Sequence, residues 1–195
     1  MMAFAASDRG GFGGYSSMDN SGPMRSPEKI AADAYNNGVE IRDEAIEYEQ
    51  AAVVEIDARK KEKLLKKAQK AYAKAGEKFE KAVRNNPEMY QGWSAFGHAL
   101  RKTGDYERSL EAYKNALALN PKYYEAVEYQ AEAHMHLGQY EKVKTAYAKL
   151  MQAAPDYAAQ LIAEIHKWLP TQDINSNPEL KAFAAWAAQE KSPAI

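Results

Sequence analysis

The chain has 195 residues, 46% hydrophobic and 27% charged, with a net charge of -1 and no cysteine. Disulfides, thiolate metal sites and cysteine nucleophiles are therefore excluded, and no apolar run approaches the ~20 residues that cross a bilayer as a helix. So even a net charge argues against bulk attraction to nucleic acid or acidic lipid.

Residues 1–26 are rich in Gly, Ser and Met around Arg9-Gly10-Gly11-Phe12-Gly13-Gly14. With little apolar surface to offset ordering entropy, they read as a disordered tail. Met1-Met2-Ala3-Phe4-Ala5-Ala6 before Ser7-Asp8-Arg9 also resembles the end of a secretory signal, although its basic and long apolar regions are missing. That reading implies export to the periplasm. Without it, the cytoplasm is the expectation. An RNA-binding Arg-Gly-Gly box is a further reading of one copy.

A helical region is expected over 27–87. Ser26-Pro27-Glu28 supplies a cap, a first-turn proline and an acid at the positive helix end. Asn36-Asn37-Gly38 is expected to interrupt or weaken this helix. Residues 28–58 carry nine acids and two bases, whereas 59–84 carry eleven bases and three acids. No Pro or Gly occurs from 39 to 75, and Val54, Ala58, Lys61, Leu65, Ala68, Tyr72, Ala75, Phe79 and Ala82 alternate four and three. Such heptad spacing predicts one long helix over much of 39–85, roughly 70 Å in length. The basic run reads first as a solvated face, and otherwise as a partner of the acidic run in a folded-back hairpin or between chains.

From Tyr90 onward the sequence repeats. Tyr90–Tyr123 and Tyr124–Tyr157 fall into register at 34 residues, with Gly104-Asp105-Tyr106-Glu107 over Gly138-Gln139-Tyr140-Glu141, Tyr113 over Tyr147 and Asn120-Pro121 over Ala154-Pro155. Tyr90, Trp93, Phe96, Gly97 and Leu100 mark one face of a first helix. Gly104-Asp105 breaks it, a second amphipathic helix runs from Tyr106 to Leu117, and Asn120-Pro121 closes the unit. Asp156–Leu169 reads as another first helix. After it, Asn177-Pro178 starts a final helix whose Leu180, Phe183, Ala184 and Trp186 cover the open end of the stack.

Trp93, Phe96, Gly97, Leu100, Ser109, Tyr113, Ala116 and Pro121 resemble the tetratricopeptide repeat pattern, and Val127, Gln130, Ala131, His134, Val143, Tyr147, Leu150 and Pro155 follow it more loosely. Tyr72, Ala75, Phe79, Ala82 and Pro87 fit the second half of such a unit, but Arg59–Lys66 put charges where its first half wants apolar residues. The resemblance implies an all-α, right-handed solenoid over 88–195, joined to a long N-terminal helix and a degenerate first repeat. It implies a non-catalytic protein-binding module, a scaffold or adaptor, with no cofactor.

By matching position, the groove residues implied are Gln91, Ser94, His98, Arg101 and Lys102, then Glu125, Glu128, Glu132, Met135 and His136, with His166 extending the wall. Glu125, Glu128 and Glu132 share one helix face. Either Arg101 and Lys102 neutralise them, or they form a stripe facing solvent that takes a basic partner segment. The Lys/Asn/Arg clamp of chaperone-docking relatives is not matched, because Ser94 and His98 stand where it needs Lys and Asn. His134 and His136, two apart on a helix, point away from each other and cannot share a metal. Self-association through the N-terminal helix is a further expectation. The competing class is a nucleic-acid-associated adaptor using the basic helix 59–84 and the Arg-Gly-Gly tail.

Overall fold

A computed structural model describes residues 25–175 and 177–190, so the readings of the tail lie almost wholly outside the described residues. Its helices are α1 (Pro27–Val54), α2 (Ala58–Asn85), α3 (Tyr90–Lys102), α4 (Tyr106–Leu119), α5 (Tyr124–His136), α6 (Tyr140–Ala153), α7 (Pro155–Trp168) and α8 (Pro178–Ala187). A 3-10 turn, Leu169–Thr171, follows α7. Consecutive helices pack in pairs. The first helix of each pair also touches the first helix of the next, so α1, α3, α5 and α7 form one continuous wall. The described residues thus form an all-α stack of antiparallel helix pairs.

The N-terminal region departs from the single long helix expected over 39–85. The chain turns at Glu55-Ile56-Asp57, and the Asp57 carboxylate accepts from the backbone N–H groups of Arg59 and Lys60 at 2.9 and 3.0 Å. An aspartate cap thus starts α2 where no Pro or Gly announces a break. The acidic and basic runs consequently lie side by side in a hairpin.

Along α1, Ala31, Gly38, Ala45 and Ala52 recur at sevens, and all are buried. This seam of small residues lets α2 approach closely. Asn36-Asn37-Gly38 does not interrupt α1. The Asn37 amide donates to the Asp33 carbonyl at 2.9 Å, and a Cβ on Gly38 would lie 2.6 Å from the Phe79 ring. Tertiary contact, not local turn preference, requires that glycine.

Gly38 against Phe79 repeats in the next unit as Gly97 against Tyr113, where a Cβ would lie 2.7 Å from the ring. Gly38 and Phe79 are 41 positions apart and Gly97 and Tyr113 are 16 apart, so the first pair carries 25 additional residues. The first half of the degenerate unit is therefore α1, displaced upstream. That is why the pattern fails over Arg59–Lys66.

The same stop is used at α2 and α4. The side chains of Asn86 and Asn120, each before a proline, accept from Glu88 and Lys122 backbone N–H, both at 3.2 Å. Gly104 and Gly138 sit at the inner corners of their repeats with φ of 89° and 70°, the left-handed region that favours glycine. At the far end α8 covers the last apolar face. Phe183 is fully buried with its ring 4.7 Å from that of Tyr140, and Trp186 meets Tyr147 edge-on.

Candidate functional site

The wall formed by α1, α3 and α5 encloses a hollow of about 240 Å³. α1 contributes Tyr35, Arg42 and Ile46, spaced seven and four and therefore on one face. α3 supplies Gln91, Ser94, Ala95 and His98, and the start of α5 supplies Tyr123, Glu125 and Tyr129. Four of the groove residues expected from sequence, Gln91, Ser94, His98 and Glu125, are brought together here. Sequence reasoning missed the α1 residues, Tyr123 just before α5 and Tyr129 within it. The 35/42/46 face is visible in the sequence, but only once α1 is seen to be the first helix of a repeat.

His98 stands at the floor between the rings of Tyr72 and Tyr129, with centroids at 5.6 and 5.1 Å. Its Nδ1 is closed off from solvent and has no hydrogen-bond partner. Burial, then the nearby charges of Arg101, Lys102 and Arg42, holds its pKa well below the ordinary histidine range, so the ring is neutral at pH 7. A neutral imidazole has one donor and one acceptor nitrogen. His98 therefore keeps one hydrogen-bonding atom unspent, enclosed beneath the hollow.

The remaining expected groove residues have other engagements. Arg101 and Glu132 are both buried and bonded to each other, with the Arg101 guanidinium also 5.1 Å from the Tyr129 ring centre. Lys102 turns to Glu49 of α1, at 2.7 Å, rather than to α5. The Tyr123 hydroxyl donates to Glu125. Met135 is 2% exposed and belongs to the core shared by α5, α6, α7 and α8, not to the groove. His136 is exposed and stacks on Tyr106 with centroids 4.7 Å apart. His166 Nε2 donates to the Ala187 carbonyl at 2.9 Å, tying α7 to α8 instead of extending the wall.

Glu128 corrects the acidic-stripe expectation most clearly. It does not face solvent: it is 2% exposed, because α7 packs against α5 over that face. Its Oε2 has no hydrogen-bond partner. Burial, and then the Glu132 carboxylate, pushes its pKa up to about 9. Glu128 is therefore neutral at pH 7 and cannot attract a basic segment.

A raised carboxyl pKa means that the folded state binds the proton more tightly than the unfolded chain. Its stabilising contribution is complete below the unfolded value of 4.5 and is lost as pH rises toward the folded value. Stability should fall across that window by at most about 1.4 kcal/mol per pH unit from this group. Glu128→Gln keeps the shape and removes the titration. Thermal melts from about pH 5 to about pH 9 should show a flatter pH dependence in the variant than in the parent. Parallel curves would contradict the buried, protonated assignment.

Among the described residues no cluster of His, Asp or Glu is arranged to hold a metal ion, and no helix is long and apolar enough to cross a membrane. Residues 94–158 match a tetratricopeptide repeat family model. No curated protein matches the chain. A solved structure, the TPR2B-domain:pHsp70-complex of yeast Sti1, is similar with a TM-score of 0.42 and 18% identity, covering 80% of this chain and 99% of that one.

Proposed function

We propose that this chain, which carries tetratricopeptide repeats over residues 94–158, is a non-catalytic binding module that takes an extended partner segment along the wall of α1, α3 and α5. Such repeats are generally protein–protein interaction modules. The observation that carries the placement is the hollow between the three helices. A partner side chain fits the hollow, flanked by the rings of Tyr35, Tyr123 and Tyr129, which provide rigid contact area at low entropic cost. A basic partner is not favoured, since Glu128 and Glu132 are enclosed. With the groove occupied on one side, the projecting hairpin stays free for a second contact, which suits a scaffold.

The test uses peptides selected from a random library on the immobilised full chain. Gln91 is exposed and lines the hollow, so Gln91→Trp fills it without entering the core. Affinity for the selected peptides should fall by about tenfold or more, equivalent to about 1.4 kcal/mol. Lys114→Trp on α4, away from the wall, should leave it unchanged. Peptides that bind both variants like the parent would sink the placement.

A further inference from the structure

The 25 additional residues of the first helix pair form a feature that the groove does not use. Toward its outer end the hairpin is held by a core cluster of Ala45, Ala68, Ala71 and Tyr72, all from α1 and α2, and it ends at Glu55-Ile56-Asp57. The most exposed large hydrophobic residues of the described chain are at this end: Val53 at 76%, Val54 at 78% and Ile56 at 97%. Exposed cations follow at once on α2: Arg59, Lys60, Lys61, Lys63, Lys66 and Lys67. Of these, Lys66 pairs with Glu62 and Lys67 lies over the Tyr48 ring, while the other four make no ion pair among the described residues.

We propose that the hairpin tip is a peripheral docking point for an anionic lipid surface, with Val53, Val54 and Ile56 entering the headgroup–acyl boundary and the α2 cations resting on the headgroups. Three aliphatic side chains at a turn make a point, not a stripe. A partner helix or groove would need apolar residues continued along a face, whereas a bilayer accepts a point. Lysine and arginine stems can lie along apolar surface while their heads stay in the polar layer. Each cation close to an anionic leaflet adds attraction that salt screens.

Other occupants fit less of the feature. A second copy meeting tip to tip would cover the aliphatics but oppose two identical cationic clusters. Nucleic acid would meet the cations but leave the aliphatics in water, and among the described residues no exposed aromatic accompanies them for stacking. Glu55 and Asp57 oppose deep insertion. Both carboxylates accept backbone N–H bonds at the turn, from Asp57 and from Arg59 and Lys60 respectively, so the contact is shallow and reversible. Because the whole chain is net -1, the attraction is local and the solenoid remains in water.

The experiment is cosedimentation of the full chain with phosphatidylglycerol–phosphatidylcholine vesicles, beside pure phosphatidylcholine vesicles. Binding is expected to the anionic vesicles only, and to weaken with salt. A triple variant, Val53→Ser, Val54→Ser and Ile56→Ser, should reduce partitioning by about tenfold or more with helicity unchanged. The charge variant Lys60→Glu, Lys61→Glu and Lys63→Glu should do so too, and should also remove the salt dependence. The proposal is overturned if anionic vesicles are not bound, if neutral vesicles bind equally, or if either variant partitions like the parent. It is equally overturned if the Ser variant's only change is to dissociate a dimer in sedimentation velocity, or if an RNA duplex is retained where the vesicles are not.

Discussion

Arg101→Met is expected to destabilise the fold by about 3–5 kcal/mol, because it removes one partner of a buried ion pair and leaves the other enclosed. Arg101 and Glu132 are 9% and 7% exposed and join α3 of one repeat to α5 of the next. Without the guanidinium, the Glu132 carboxylate stays close to the Glu128 carboxyl in a region closed to water. It must then take up a proton or open the interface. The loss should therefore be smaller in acid, where protonation neutralises the orphan. Arg101→Met combined with Glu132→Met should recover most of it, since a packed apolar pair is often as stable as the ion pair it replaces. Urea unfolding of the parent, the single and the double variant checks this. A single variant as stable as the parent would mean that the pair is not enclosed.

Gly97→Leu is expected to cost about 2–3 kcal/mol by overpacking. Its Cβ alone would fall 2.7 Å from the Tyr113 ring, which is fully buried. The two helices of the repeat would have to separate, and the pairing of neighbouring repeats would loosen with them. Gly38→Leu should behave alike against Phe79, although it lies in a helix where sequence alone suggests a break. A melting temperature unchanged by either substitution would contradict the close approach.

The period of the repeats was fully legible, because Gly97, Tyr113 and Pro121 perform packing and stopping tasks that recur at fixed spacing. The hairpin was legible only as an alternative, from the opposite charges of 28–58 and 59–84, and the position of its turn was not. Its turn rests on one side-chain cap, Asp57, and the heptad spacing of α2 continues across the turn into Val54 by coincidence of number. Gly38 looked like a break because Asn-Asn-Gly favours turns locally, whereas the Phe79 ring 41 positions later needs the missing Cβ. The groove was legible in part. The spacing of Glu125, Glu128 and Glu132 places them on one face, but whether that face is open depends on α7, which covers Glu128. The share of α1 in the hollow depended in turn on recognising the displaced first helix.

The most direct test of groove binding is where a bound peptide touches the chain. A photo-crosslinking residue is placed at Gln91 in one variant and at Lys114 in another, and each is irradiated with a library-selected peptide. Crosslinking at 91 and not at 114 is the predicted result, with the adduct mapping also to α1 or the start of α5. Crosslinking at 114 alone, or equally at both positions, would contradict a partner seated in the wall of α1, α3 and α5.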